Sequence, residues 1–131
     1  MKKIVVAEDD SQMRLWIVRV VEEMGFCCLQ ASNGARALHL LEDNSDVVLL
    51  ITDSMMPELN GEELIGILHR RQETREMPVI FVSAVRRYED VRRLRSVGVT
   101  QFLNKPLDPI SLRNMVRECT TATAGLELSH A

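Results

Sequence analysis

The amino-acid sequence predicts an α/β fold, a doubly wound parallel sheet of five strands with helices on both faces. Two observations indicate it. Five short apolar runs alternate with five stretches of helical periodicity along the 131 residues. Four of these runs lead into polar or charged side chains, as in open parallel sheets that hold ligands at the carboxyl ends of their strands. The length fits one domain, which we place at residues 1–121, with a tail or the start of a linker at 122–131.

The first strand and helix are predicted from an apolar run at residues 4–7 and from an apolar stripe behind it. The run stops at three consecutive carboxylates, Glu8, Asp9 and Asp10. Apolar side chains then recur at i, i+3, i+4, i+7, i+8 and i+11, which predicts one continuous helical face. These side chains are Met13, Trp16, Ile17, Val20, Val21 and Met24. Either Asp10 or the serine after it can cap the helix, and Gly25 ends it.

The middle of the chain predicts two further strand–helix pairs. Residues 26–29 read as a short strand, and a helix follows from Ala35 to about Glu42. The uninterrupted apolar run at 47–51 is typical of a strand buried on both faces, and it leads to Asp53. An Asn-Gly pair then opens a third helix, whose acidic first turn and basic last turn match the helix dipole.

The last part of the chain predicts two more pairs. A fourth strand at 79–82 ends at Ser83, and a fourth helix runs from a Glu-Asp pair to Gly98. Residues 101–104 predict a fifth strand that ends at Lys105. A capping aspartate and a proline at the first helical position then begin the fifth helix.

Composition and charge exclude several classes of protein. A net charge of −3 gives no general attraction to nucleic acid or to anionic membranes. No apolar stretch reaches the length of a membrane span, and the first apolar run is too short for a signal peptide, so we expect a cytoplasmic protein. The three cysteines have neither disulfide nor zinc-site spacing and are typical of small buried residues.

The polar groups that follow the strands predict a phosphoryl-transfer site. Glu8 and Asp9, Asp53, Ser83 and Lys105 follow four different strands and should meet at one edge of the sheet. Three close carboxylates repel one another unless a hard divalent cation such as Mg²⁺ neutralises them. The lysine and the hydroxyl suit phosphoryl oxygens, and the aspartate after the central strand suits the nucleophile. Each residue alone could instead be a helix cap or part of a structural ion pair.

These motifs resemble those of response-regulator receiver domains of two-component signalling, from about residue 3 to residue 121. The matching features are the pair Glu8-Asp9, a D-x-x-M-P-x-x-x-G stretch from Asp53 to Gly61, Ser83-Ala84 and Lys105-Pro106. The resemblance implies a chemotaxis-regulator-like fold, which is a flavodoxin-like (βα)5 sandwich with strand order 2-1-3-4-5.

The resemblance also implies roles for the site residues. Asp53 would accept a phosphoryl group from a histidine kinase or a phosphotransfer protein. Asp9, Asp53 and the backbone carbonyl of Met55 would bind Mg²⁺ or Mn²⁺, and Glu8 would act through water. Lys105 would pair with the phosphoryl group.

The resemblance further implies a conformational switch. Ser83 would turn toward the phosphoryl group and Phe102 would swing inward, which would repack the face of the fourth helix, fifth strand and fifth helix for output or homodimerisation. The bond before Pro106 is typically cis in the family. The chain would be a signalling phosphoacceptor that catalyses its own phosphorylation and slow dephosphorylation, without direct nucleic-acid or membrane binding by this domain.

Met55 and Val85 suggest a long-lived phosphoryl group. In receivers these two positions flank the acyl phosphate and influence its attack by water. Both are apolar here and cannot orient a water molecule, which predicts slow self-dephosphorylation. The alternative is that partner phosphatases set the lifetime.

Five arginines lie on or beside the fourth helix. They are Arg86, Arg87, Arg92, Arg93 and Arg95. We interpret them mainly as a solvated helix face, partly paired with Glu89 and Asp90. The alternative is a contact for an acidic partner or a second copy. Nucleic-acid binding by these arginines is disfavoured, because the domain has no recognition motif.

Three rival interpretations stay open. A degenerate receiver would have the fold without being phosphorylated, although Asp9, Asp53, Ser83 and Lys105 argue against it. A haloacid-dehalogenase type phosphatase would need a second aspartate where Met55 stands. A flavodoxin-type cofactor protein would need a phosphate-binding loop after the first strand, where the acidic residues repel phosphate.

Overall fold

A computed structural model describes residues 2–84 and 87–129, and of residues 122–129 it describes the backbone alone. The strands are β1 (Lys3–Ala7), β2 (Cys27–Ala31), β3 (Val47–Asp53), β4 (Val79–Ser83) and β5 (Gln101–Asn104). The helices are α1 (Ser11–Glu22), α2 (Gly34–Asp43), α3 (Gly61–Arg70), α4 (Tyr88–Ser96) and α5 (Pro109–Ser129). Strand and helix alternate as the sequence predicts.

The five strands form one parallel sheet in the order β2-β1-β3-β4-β5, which confirms the α/β class and the flavodoxin-like strand order. The order reverses direction between β1 and β3, where open α/β sheets bind ligands. The register aligns Ala7 with Thr52 and Asp53 with Val82. The residues that follow β1 and end β3 therefore lie side by side at the carboxyl edge.

Helices cover both faces of the sheet. Strand β1 shows the division, because Ile4 and Val6 pack in the cluster with α1 and α5 whereas Val5 and Ala7 pack with α2 and α3. Helix α4 packs through Leu94 in a third cluster with side chains of α3 and β4. Burial on both faces explains why the central strands are apolar at successive positions rather than at alternate ones. None of the helices in the described part of the chain is both long and apolar enough to cross a membrane.

Strand β2 and the end of helix α5 differ from their predicted bounds for identifiable physical reasons. Strand β2 covers Cys27–Ala31 rather than residues 26–29, because it is an edge strand whose exposed Gln30 interrupts the apolar pattern while Ala31 still pairs with Ala7. Helix α5 continues to Ser129, past the domain end that we place at residue 121. The alanines and leucines of its last turns are good helix formers, although amphipathic order is lost there. The domain boundary itself stays a prediction.

Two glycines fix the loop of residues 54–60 that links β3 to α3. The amide of Gly61 donates a hydrogen bond to the backbone carbonyl of Ser54 at 3.1 Å, and the amide of Gly34 donates to the carbonyl of Leu59 at 2.9 Å. A Cβ atom on Gly61 would overlap the backbone oxygen of Asp53, and one on Gly34 would overlap that of Leu59. The loop after Asp53 is therefore held at both ends by close backbone contacts.

Alanine at Gly61 or Gly34 should lower the free energy of unfolding by about 1–3 kcal/mol, because the new Cβ displaces the loop backbone. Gly66 in α3 is the matched control. A Cβ there would meet the Arg70 guanidinium at 3.6 Å, an ordinary contact, so Gly66→Ala should be neutral or stabilise by about 0.5–1 kcal/mol. Urea unfolding of the three variants checks this, and equal effects at all three positions would contradict it.

Candidate functional site

Three carboxylates meet at the carboxyl edge of the sheet. Each of Glu8, Asp9 and Asp53 offers a carboxylate oxygen, and these oxygens lie within 4.8 Å of one another. Glu8 and Asp53 are buried, at 1% and 5% exposure, whereas Asp9 is exposed in the turn between β1 and α1. The parallel register of β1 and β3 brings the two buried carboxylates together, as the sequence predicts.

Lys105 reaches into this cluster from the end of β5. Its Nζ lies 3.2 Å from Asp53 Oδ1 and 3.2 Å from Glu8 Oε1. Partial burial opposes the charge of the lysine, but its contacts with Asp53 and then Glu8 raise its pKa above the ordinary value. Among the described residues, this one ammonium group bridges the two buried carboxylates and makes no ion pair with the third.

The surroundings of Glu8 disfavour its charged form. Burial raises the pKa of Glu8 to about 7, and the neighbouring carboxylates of Asp9 and Asp53 add to the rise. The backbone amide of Asp10, 3.1 Å from Glu8 Oε2, and the charge of Lys105 act in the opposite direction. An all-oxygen donor set with excess negative charge fits a hard divalent cation such as Mg²⁺.

Backbone contacts hold the Asp53 carboxylate in place. Its Oδ1 accepts a hydrogen bond from the Ser54 amide at 2.8 Å, and that amide also donates to the carbonyl of Val82 in β4. The buried Thr52 hydroxyl donates to the backbone carbonyl of Asp53 at 3.0 Å. The sequence does not predict these contacts of Thr52 and Ser54, because they depend on backbone positions that no sequence motif records.

The remaining predicted site residues surround this cluster. Ser83 is buried at the end of β4, and its backbone carbonyl accepts a hydrogen bond from the Lys105 amide at 3.1 Å. Phe102 is half-buried on β5, with its ring edge-to-face on Phe81 at 6.3 Å between centroids. The Lys105–Pro106 peptide bond is cis.

Met55 follows β3 in the loop after Asp53 and is 75% exposed. It lines a cleft of about 700 Å³ between α3 and α4, together with Ser54 and Ser83. The position predicted to flank the phosphoryl group on the other side, Val85, and the first arginine of the cluster, Arg86, lie outside the described residues.

Arg93 bridges the cleft between α3 and α4. Its guanidinium makes two hydrogen bonds to the Glu62 carboxylate, at 2.7 and 2.8 Å, and one to Asp90 at 2.9 Å. The pairing with Asp90 was predicted, but the bond to Glu62 was not, because 31 positions separate the two residues. Arg92 instead lies over the ring of Tyr88, 5.7 Å from its centroid.

Comparison with known proteins agrees with this geometry. The family model described as the response regulator receiver domain matches residues 4–117. A chemotaxis protein CheY homologue of Campylobacter jejuni is 32% identical over 124 residues, which cover 94% of this chain and 95% of that protein. The chemotaxis protein CheY1 of Helicobacter pylori is 31% identical over 112 residues, covering 85% of this chain and 90% of the relative.

A solved structure supports the same assignment. The receiver domain of the Francisella response regulator 1452 superposes with a TM-score of 0.85 at 30% identity, covering 94% of this chain and 99% of that one. The fold, the acidic edge and these likenesses lead to one conclusion. The chain belongs to the response regulator receiver domain family, whose members act as phosphoacceptors in signalling.

Proposed function

We propose that Asp53 is the phosphoacceptor and that it takes its phosphoryl group from a phosphohistidine of a histidine kinase or phosphotransfer protein. The observation that supports this most is the meeting of the Ser54 amide and the Lys105 ammonium on one oxygen of a buried carboxylate, beside Glu8 and Asp9. Family membership establishes the class of protein, and the geometry favours Asp53 as the residue that carries the phosphoryl group.

In the proposed reaction, a carboxylate oxygen of Asp53 attacks the phosphorus atom. The bond from phosphorus to the donor imidazole breaks, its electron pair stays on the ring nitrogen, and an acyl phosphate forms. Among the described residues, the hydrogen bond and the ion pair of the carboxylate both fall on Oδ1. Oδ2 is therefore the oxygen best suited to attack, while the contacts on Oδ1 keep the carboxylate oriented.

Glu8, Asp9 and Asp53 would hold Mg²⁺ or Mn²⁺, with the backbone carbonyl of Met55 as a further ligand. When bound, the cation neutralises negative charge on the transferring phosphoryl oxygens. Lys105 would donate to a phosphoryl oxygen, since its ammonium already lies at Asp53. In this way the chain would catalyse its own phosphorylation and slow dephosphorylation.

Phosphorylation would replace the single negative charge of the Asp53 carboxylate with a phosphoryl group that carries a charge of roughly −1.5 to −2, beside the ends of β4 and β5. A backbone hydrogen bond joins Ser83 to Lys105. A movement of Ser83 toward the phosphoryl group would therefore shift the end of β5. Phe102 on that strand would then repack inward. We propose that this biases the face of α4, β5 and α5 between two states for output or homodimerisation.

The main proposal predicts a covalent phosphoryl adduct on Asp53. Incubation with acetyl phosphate and Mg²⁺ should add one phosphoryl group to the wild-type chain, visible as an intact-mass increase. Asp53→Asn should form no adduct, and a chelator should suppress it in the wild type. Asp46, an exposed carboxylate outside the site, supplies the matched control, and Asp46→Asn should react normally. A wild-type chain that stays unmodified while a known receiver reacts would favour the degenerate receiver.

Removing one carboxylate should relieve repulsion in the metal-free protein. In the presence of a chelator, Asp9→Asn should raise the free energy of unfolding by about 1 kcal/mol. The change removes the negative charge at the water-exposed side of the cluster, which repels the other two carboxylates. Mg²⁺ should stabilise the wild type and stabilise this variant less. Glu76→Gln, an exposed change in the segment between α3 and β4, should show neither effect in urea unfolding. Destabilisation by Asp9→Asn in chelator would argue against charge repulsion in the cluster.

Polar residues beside the phosphoryl group should speed its hydrolysis. The double change Met55→Asn and Val85→Glu should raise the self-dephosphorylation rate on the order of tenfold, the effect of about one well-placed hydrogen bond to the attacking water. Decay of the phosphorylated wild type and variant, followed by intact mass, measures it. Leu15→Asn, at an exposed apolar residue outside the site, should leave the rate as it was. An unchanged rate in the double variant would contradict the hypothesis that the apolar residues Met55 and Val85 slow self-dephosphorylation.

A further inference from the structure

Arg14 on α1 joins the ends of two strands across the acidic turn. Its Nη1 donates a hydrogen bond to the backbone carbonyl of Glu8 at 2.8 Å. Its Nε donates to the side-chain oxygen of Gln30, near the end of β2, at 3.1 Å. One half-buried side chain therefore connects the helix, the residue after β1 and the edge strand.

These contacts act on the peptide groups around Asp9. The carbonyl of the peptide between Glu8 and Asp9 is held by Arg14, and the amide of the next peptide, at Asp10, donates to Glu8 Oε2 at 3.1 Å. Asp9 lies between the end of β1 and the start of α1, outside regular secondary structure. With both of its peptide groups held by side chains, its carboxylate is kept beside Glu8 and Asp53.

We propose that Arg14, oriented by Gln30, is a positioning residue for the divalent cation site. It holds the turn after β1 in the conformation that presents Asp9 to the other two carboxylates. The inference rests on the Mg²⁺ requirement of the proposed function, and it assigns a role to a side chain that need not touch the cation, the phosphoryl group or the reacting atoms.

The hydrogen bonds of Arg14, rather than its positive charge, should decide how its removal changes Mg²⁺ affinity. Within the described residues, the ion pairs of the cluster involve Lys105, and Arg14 is not within ion-pair distance of a carboxylate. Loss of its partly exposed charge should alter the field at the site little, since solvent screens it. Loss of its two hydrogen bonds frees the turn, so Mg²⁺ binding should weaken. Groups that orient ligands in this way typically contribute roughly 10- to 100-fold in metal affinity.

Titration calorimetry with MgCl₂ on the full chain tests this directly. Arg14→Ala should raise the Mg²⁺ dissociation constant by about tenfold. Gln30→Ala should raise it by a smaller factor, and the double variant should bind no worse than Arg14→Ala, because both act through one guanidinium. Arg14→Lys, which keeps the charge but not the paired geometry, should fall between wild type and Arg14→Ala. Arg19→Ala, an exposed arginine on the same helix, is the matched control and should bind like the wild type.

The outcomes separate this proposal from its alternatives. An Arg14→Ala chain that binds Mg²⁺ like the wild type would overturn it, as would an equal loss in Arg19→Ala or additive losses in the double variant. Urea unfolding in chelator accompanies each titration, and if Arg14→Ala does not fold, Gln30→Ala decides the question by the same measurement. A wild type that binds Mg²⁺ but forms no adduct with acetyl phosphate would contradict the role of Asp53 and leave the Arg14 result standing. A wild type without Mg²⁺ binding would overturn both.

Discussion

The structure depends on one electrostatic constraint, the burial of two carboxylates against a single ammonium group at the edge of the sheet. Glu8 and Asp53 are almost fully buried, and Lys105 Nζ lies 3.2 Å from an oxygen of each. Burying a charge is costly unless it is paired and hydrogen-bonded. The exposed Asp9 then adds negative charge that the lysine does not neutralise. Three carboxylates at one edge give an oxygen donor set whose negative charge fits the divalent cation that we propose there.

The rest of the fold keeps these groups in place through its backbone. The Ser54 amide bonds to Val82, and the Lys105 amide bonds to Ser83, so each site segment is joined to the strand beside it. The strands themselves are immobilised by apolar packing on both faces. These backbone bonds link the ends of β3, β4 and β5 in series. The conformational switch that we propose would act through this connection.

The sequence predicts most of what depends on local patterns. The apolar stripe of α1, the cap at Asp10 and the buried central strand were all visible from residue spacing, and the structure has them. The strand order came from the resemblance, because periodicity indicates that a strand exists but not which strand lies beside it. The acidic edge followed once the strands were taken to be parallel.

The contacts that escaped prediction are long-range or involve the backbone. The bond from Arg93 to Glu62 spans 31 positions, and Arg14 bonds to a carbonyl rather than to a recognisable partner side chain. The end of β2 was misplaced because an edge strand with an exposed glutamine lacks the continuous apolar signal of a central strand. Each of these features depends on which distant segments contact each other in the folded chain. A single sequence contains no local pattern from which such contacts can be predicted.

The close backbone contacts at Gly34 and Gly61 have a consequence for building chimaeric proteins. They anchor the loop after Asp53 to α2 at one end and to the end of β3 at the other, so its length is fixed from two sides. A loop grafted from another receiver would fit only if it brought the same length and if both glycines were kept. The β3–α3 loop is therefore not exchangeable on its own.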